Sequence, residues 1–334
     1  MSQTPAAVRT GAIAEPSNIT APIHTELCAV EQKLLLLLDS KEGLIAEICH
    51  YLIDGGGKRL RPLFILLVYR ACGGSDAHIE DAVDAAIALE LIHSATLLHD
   101  DIIDGGMLRR GKPSAFARYG LPASLVAGDY LFCRAFELCG RFEERLVHTA
   151  ARACIQLTEG EVMEGRMRHL AAANLDDYTA IITRKTASLF SAGGKVAADL
   201  AAAGAKTIGE MEQLGHAVGL AFQMIDDLLD ILGPEEKIGK PVGSDLRLGI
   251  MSLPVVLGLH ANPEMQALFT SNGLEGPAFE RMLAFLRQPE LIARGRAMAA
   301  HQVAAARDLL QQLAPSVYRD SLAMLIDEQT DRNV

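Results

Sequence analysis

Two apolar stretches free of glycine and proline, Leu89 to Ile103 and Leu220 to Leu232, each carry a D-D-x-x-D cluster at or near their C-terminal end. The first reads Asp100-Asp101-Ile102-Ile103-Asp104, the second Asp226-Asp227-Leu228-Leu229-Asp230. Apolar sequence without breakers reads as buried helix, and on a helix positions i and i+4 share a face. Asp100 and Asp104 then point one way, as do Asp226 and Asp230. Like charges at that spacing repel, and acids near a helix C-terminus also oppose the macrodipole. Two solvated helix ends would leave both costs standing, so a cation must compensate. All-oxygen clusters suit hard ions, and Mg2+ usually takes one or two carboxylates plus substrate phosphates. One such cluster is expected by chance roughly 0.04 times in a chain of this length, so two copies point to a shared task.

The rest of the chain reads as all-α. Amphipathic or apolar runs at Glu26 to Leu38, Leu44 to Ile53, Pro62 to Ala71 and Glu80 to Asp104 are punctuated by Gly55-Gly56-Gly57, Gly73-Gly74 and Gly105-Gly106. Further helices are predicted at about 123–139, 143–168, 176–200, 207–232, 252–260, 276–287, 289–314 and 316–330. Strand alternation is nowhere sustained. The predicted architecture is a single large helical bundle around a central cavity, spanning residues 23–334. Residues 1–22, rich in Ala, Thr, Ser and Pro without a period, read as a disordered tail.

Basic residues concentrate in two places. Gly55-Gly56-Gly57-Lys58-Arg59-Leu60-Arg61-Pro62 joins a glycine run to a helix start, where backbone and cations together suit an anion. It lacks the spacing of a Walker loop. Arg109-Arg110-Gly111-Lys112 follows the first acidic cluster closely enough to fold back over metal-bound phosphate. Either run alone also fits a solvated surface patch; the nearby metal site favours the anion. Lys185-Thr186 lies in a helical run, and His93 and Gln223 share the helices of the two acidic clusters.

The net charge of -11 argues against a nucleic-acid binder, which needs a basic surface. Six scattered cysteines show no C-x-x-C or zinc spacing and read as free thiols of a reducing cytosol. Residues 1–22 lack the apolar core of a secretory signal, and no transmembrane segment is expected. These features together predict a soluble, cytoplasmic protein.

The ordered blocks GGGKRLRP, LIHSATLLHDDIID, RRGKPS, GDYLF, KTASLF, GLAFQMIDDLLDILG and GKPVGSDL resemble the trans-isoprenyl (polyprenyl) diphosphate synthase family. The resemblance runs from about residue 24 to the C-terminus. It implies an all-α homodimer that condenses an allylic diphosphate with isopentenyl diphosphate. It implies Asp100, Asp104 and Asp226 as ligands of three Mg2+ ions, with Asp101, Asp227 and Asp230 in support. Arg109, Lys185, Thr186, Gln223 and Lys240 would hold the allylic substrate. Lys58, Arg61, His93 and Arg110 would hold isopentenyl diphosphate.

The chemistry suits these residues. Breaking an allylic C–O bond puts negative charge on pyrophosphate, where metal ions, Lys and Arg stabilise the transition state. No side-chain nucleophile is needed, and none is evident. Product length is expected to depend on Ala95 and Thr96, five and four residues before Asp100. Both are small, which predicts an open tunnel and a product of C20 or longer; the string ATLLHDDIID most resembles the long-chain members, which implies C30 to C50. The family's usual D-x-x-E-G-K-x-[ST]-L-P departs here to Asp245-Leu246-Arg247-Leu248-Gly249-Ile250-Met251-Ser252-Leu253-Pro254. A lysine is lost at Ile250, which predicts weaker allylic binding, with Arg247 as a partial substitute. Rival readings are a geranylgeranyl or farnesyl diphosphate synthase, a weakly active regulatory subunit of a heteromeric synthase, and a class I terpene cyclase. The second D-D-x-x-D and the GGGKRLR block argue against the cyclase.

Overall fold

The computed structural model describes residues 17–170, 172, 174–233, 241–270 and 274–331. Helices dominate them. Helices α1 (His24–Leu37), α2 (Gly43–Asp54), α3 (Leu60–Ala71) and α4 (Ile79–Ile103) come first. A short hairpin follows, β1 (Leu108–Arg109) antiparallel to β2 (Lys112–Pro113). Then come α5 (Ala115–Tyr119), α6 (Leu121–Cys139), α7 (Glu144–Met167), α8 (Leu175–Ile182), α9 (Ser188–Leu200) and α10 (Ala205–Leu232). The chain continues through helices Ser244–Arg247, Leu253–Ala261, Pro263–Thr270, Gly276–Leu286, Pro289–Leu310 and Val317–Asp331.

Helix α4 is apolar on nearly every face from Ala82 to Ile92, which only a helix surrounded by others tolerates. It packs against α1, α3, α6 and α9. Among the described residues, Asp76–Ile103 is the one helical segment long and apolar enough to cross a membrane, and 83 % of its apolar window is buried inside the fold. It is the central helix of the bundle.

Helix α10 is held against α9 by close backbone approach. A Cβ on Gly194 would lie 2.1 Å from the Met211 carbonyl oxygen, and one on Gly215 would lie 2.1 Å from that of Phe190. The first half of α10 joins the large core built from α1–α4, α6 and α9. Its second half, with α8 and the helical segments between residues 253 and 299, forms a second apolar cluster, while the chain from Val303 onward returns to the first. The acidic end of α10 therefore belongs to the second core.

Three departures from the sequence reading stand out. Residues 1–16 lie outside the described residues, but the rest of the expected tail is ordered: Ser17 begins a turn, and a 3-10 helix follows at Ala21–Ile23, with Ile23 fully buried. Pro263–Thr270 forms a helix that its short, interrupted pattern did not announce. The long run predicted from Asp176 to Leu200 is broken by a π-helical turn at Thr183–Ala187. Such turns insert a residue into the helical ladder and recur at functional sites. This one carries Lys185 and Thr186.

Candidate active site

The last turns of α4 and α10 flank a cavity of about 690 Å³. Asp100 and Asp104 line one side, Asp226 and Asp230 the other. Lys58, Arg109, Lys185, Thr186 and Gln223 line it too. Folding thus brings seven of the residues expected to hold allylic substrate or metal, and Lys58, onto one surface. Lys240 lies outside the described residues.

Cations organise the first wall. The hairpin turns at Arg110 and Gly111, with φ of 53° and 73°. Two successive positive φ values suit a tight two-residue turn whose twist matches the strands. The turn carries Arg109 back to Asp101, which it grips bidentately, Nε to Oδ2 and Nη2 to Oδ1, both at 2.8 Å. Asp101 is buried, so it serves as the anchor of Arg109 and leaves Asp100 and Asp104 facing the cavity. Lys185 donates to Glu164 and forms an ion pair with Glu161, each at 2.7 Å. Burial lowers the Lys185 pKa, but Glu164, Asp100 and Glu161 outweigh it and raise the ammonium overall. Burial pushes Asp100 up to about 7, against the pull of Lys185. Arg168 forms an ion pair with Asp104.

Neutral donors organise the second wall. Asp227 is buried and accepts from Tyr178 Oη at 2.8 Å, Gln223 Nε2 at 2.8 Å and the Leu253 N–H at 2.9 Å. Because the carboxylate requires the amide's N–H, Gln223 turns its Oε1 to Thr186, whose hydroxyl donates at 2.7 Å. Burial, with Asp245 nearby, raises Asp227 to about 7 despite these bonds. Asp230 Oδ2 accepts the Asp245 N–H at 3.3 Å. Asp226 is the exposed member of the cluster.

A third group sits beside the cavity. Burial pushes Arg61 down to about 10, against the opposing influence of Glu90 and Asp226. Its guanidinium lies 4.9 Å from the Phe190 ring centroid. Burial, then Arg61, Arg109 and Arg110, hold His93 well below the usual imidazole range, so its ring is neutral at pH 7. Arg61, His93 and Arg110 therefore share one positive field but do not line the cavity. Lys58, assigned with them by resemblance, faces the cavity instead. Arg59 takes a left-handed backbone, φ 46°, and turns to Glu31 (2.5 Å) and Glu90 (3.4 Å). It is a structural tie.

Several expectations fail on geometry. Ala95 is fully buried and Thr96 nearly so, and neither lines the cavity. Their small size does not leave an open tunnel, because the surrounding helices close over them. Ile250 does line the cavity, at the position where the resemblance implied a lysine. Arg247 is no substitute: its guanidinium stacks 3.5 Å from the Phe279 ring centroid, away from the cavity. Sequence reasoning also missed Glu161, Glu164, Arg168 and Tyr178. A signal for the first two existed, since 161 and 164 follow i, i+3 spacing along one face of α7; Arg168 lies just past the helix end.

The donor set fits hard cations. Among the described residues no three His, Cys, Asp or Glu converge into a ready-made metal cluster. Asp100, Asp104 and Asp226 instead stand on two walls with a gap between. Split carboxylates of this kind suit ions whose remaining ligands come from phosphate oxygens and water.

Comparison with known proteins agrees with this geometry. The family model described as polyprenyl synthetase matches residues 42–281. The chain is 35 % identical to heptaprenyl diphosphate synthase component 2 of Geobacillus stearothermophilus, over 87 % of this chain and 91 % of that one. It is 31 % identical to nonaprenyl diphosphate synthase of Mycobacterium tuberculosis, over 99 % of both. The fold superposes with TM-score 0.89 on a polyprenyl synthase from Caulobacter crescentus solved with calcium and isoprenyl diphosphate, at 30 % identity, covering 95 % of this chain and 98 % of that one. An all-α isoprenoid synthase fold is thereby defined. The chain belongs to the polyprenyl synthetase family.

Proposed function

We propose that this protein joins an allylic diphosphate to isopentenyl diphosphate and makes an all-trans polyprenyl diphosphate of C30 to C50. One observation carries the reading: two carboxylate walls and the cations Lys58, Arg109 and Lys185 share a single cavity. Asp100, Asp104 and Asp226 would hold Mg2+, which neutralises the diphosphate as the allylic C–O bond breaks. Lys185 and Arg109 are pre-set by Glu161, Glu164 and Asp101, so they stabilise the departing charge without reorganising. The Thr186–Gln223 pair presents dipoles to the allylic cation. The π-electrons of isopentenyl diphosphate attack that cation, a proton leaves the adjacent carbon, and pyrophosphate accepts it. Arg61 and Arg110, beside neutral His93, hold the second diphosphate.

Relatives named heptaprenyl, octaprenyl and nonaprenyl diphosphate synthase support the long product. Such a product requires the wall beside Ala95 to open as the chain grows. Purified protein given Mg2+, isopentenyl diphosphate and several allylic primers should yield C30 or longer products by mass spectrometry. A product that stops at C20 overturns the chain length, and no prenyl product overturns the activity. Ala95→Phe should shorten whatever product forms.

Exposed apolar side chains on α6 and α7 (Leu125, Val126, Phe136, Ile155, Val162) support a homodimer through that face. A second reading, a subunit of a heteromeric synthase, is favoured by uncharged Ile250 and by a relative named as one component of its synthase. The same assay on the isolated chain separates them.

A further inference from the structure

The wall formed by Ile250 and Met251 brings no charge to a cavity that otherwise pairs acids with cations. Arg168 lies next to it. The His169 N–H donates to the Gly249 carbonyl at 3.0 Å, which fixes the chain at Arg168 beside the residue preceding Ile250. The His169 ring packs so tightly on Gly249 that a Cβ there would lie 2.2 Å from it. His169 and Gly249 both take positive φ, 59° and 68°. Backbone held this way by a non-glycine residue is strained and is kept where position matters.

From that anchor the Arg168 side chain reaches Asp104 on the opposite wall. Its side chain is four-fifths buried, and its Nε is enclosed without a hydrogen-bond partner among the described residues. A cation that must enter beside Asp104 repels this guanidinium. Once displaced, a half-satisfied buried guanidinium needs an anion, and the uncharged Ile250 wall offers none. We propose that Arg168 is a diphosphate-binding residue, moving from Asp104 to the phosphate that enters with the metal, and so supplying the charge that position 250 lacks. The assignment rests on the diphosphate chemistry proposed above.

Inorganic pyrophosphate with Mg2+, titrated calorimetrically into the full chain, tests it. Arg168→Gln, which keeps the stem, should weaken binding about tenfold, the loss of one charge-assisted contact. Arg168→Lys should lose less. Adding Ile250→Lys to Arg168→Gln should recover most of the affinity, which loss of a structural role would not allow. In turnover, Arg168→Gln should raise KM for the allylic substrate and leave KM for isopentenyl diphosphate within about twofold, because only one diphosphate is touched. Unchanged or tighter pyrophosphate binding in Arg168→Gln overturns the proposal, since Arg168 would then only mask Asp104. A wild-type protein that binds no pyrophosphate overturns it as well. If the wild type binds pyrophosphate in this way but condenses nothing, the prenyltransferase reading falls and the Arg168 assignment stands.

Discussion

At the end of α4, cations hold the carboxylates: Arg109 grips Asp101, Arg168 pairs with Asp104, and Lys185 lowers the cost of ionising Asp100. At the end of α10, dipoles do the equivalent work: Tyr178, Gln223 and the Leu253 N–H all donate to Asp227. The same five-residue pattern thus has two different supports. A charge-held wall is close to neutral before any ligand arrives and responds to salt and to loss of its cations. A dipole-held carboxylate such as Asp227 is fixed by neutral donors, so its geometry depends less on salt.

The largest effect should appear where the walls are alike. Asp104→Asn and Asp226→Asn should each lower kcat by about 10²- to 10³-fold, the usual cost of removing one electrostatic stabiliser. Steady-state turnover at saturating Mg2+ checks this, and a tenfold difference between the two would show that the walls do not share the ions.

Buried members should separate the walls. Asp101→Asn leaves a partly buried guanidinium without its counter-charge and should cost about 3 kcal/mol of stability. Asp227→Asn keeps a hydrogen-bonding group and should cost about 1 to 2 kcal/mol, with Gln223 forced to flip away from Thr186. Urea denaturation of both variants decides the order, and the reverse order would break the contrast between the two walls.

His93 sharpens the cation-rich side. Its folded pKa lies well below the free value of 6.5, through burial and then the neighbouring arginines. The unfolded chain therefore takes up a proton first as pH falls below about 6.5. Stability should be fully present above that pH and decline below it. His93→Gln should remove part of that decline, read as the difference in urea midpoint between pH 7.5 and 5. No change in that difference would place His93 outside the arginine field.

The smallest expected effect is a gain. Ile250→Lys in the otherwise native chain should lower KM for the allylic diphosphate by only a few-fold, because Arg168 already supplies a cation there, against about tenfold or more for a charged contact added to an empty wall. A large drop in KM would assign the deficit to position 250 alone.

Much of the site was legible in one dimension. Helical periodicity alone aligned Asp100 with Asp104 and Asp226 with Asp230, since residues i and i+4 must share a face. Glycine runs marked the helix ends, and the unbroken apolar character of α4 marked it as central. Partner choice was not legible. Arg59 and Arg61 are two residues apart, yet one ties down Glu31 while the other sits above Phe190. Arg247 was a plausible cation until its ring partner, Phe279, came from a distant helix. Ala95 and Thr96 are small, but whether small residues leave space depends on what packs over them.

The order of residues determined that this chain is helical, that its acids stand in two pairs, and that cations must meet them, because these follow from periodicity and charge within a few turns of one helix. Only the folded molecule decided which cation meets which acid, that Lys58 joins the cavity, and that Arg168 crosses to Asp104. Most of those contacts, such as Arg168 to Asp104, join segments tens of residues apart, and their distances are set by how closely helices pack, which no local pattern encodes.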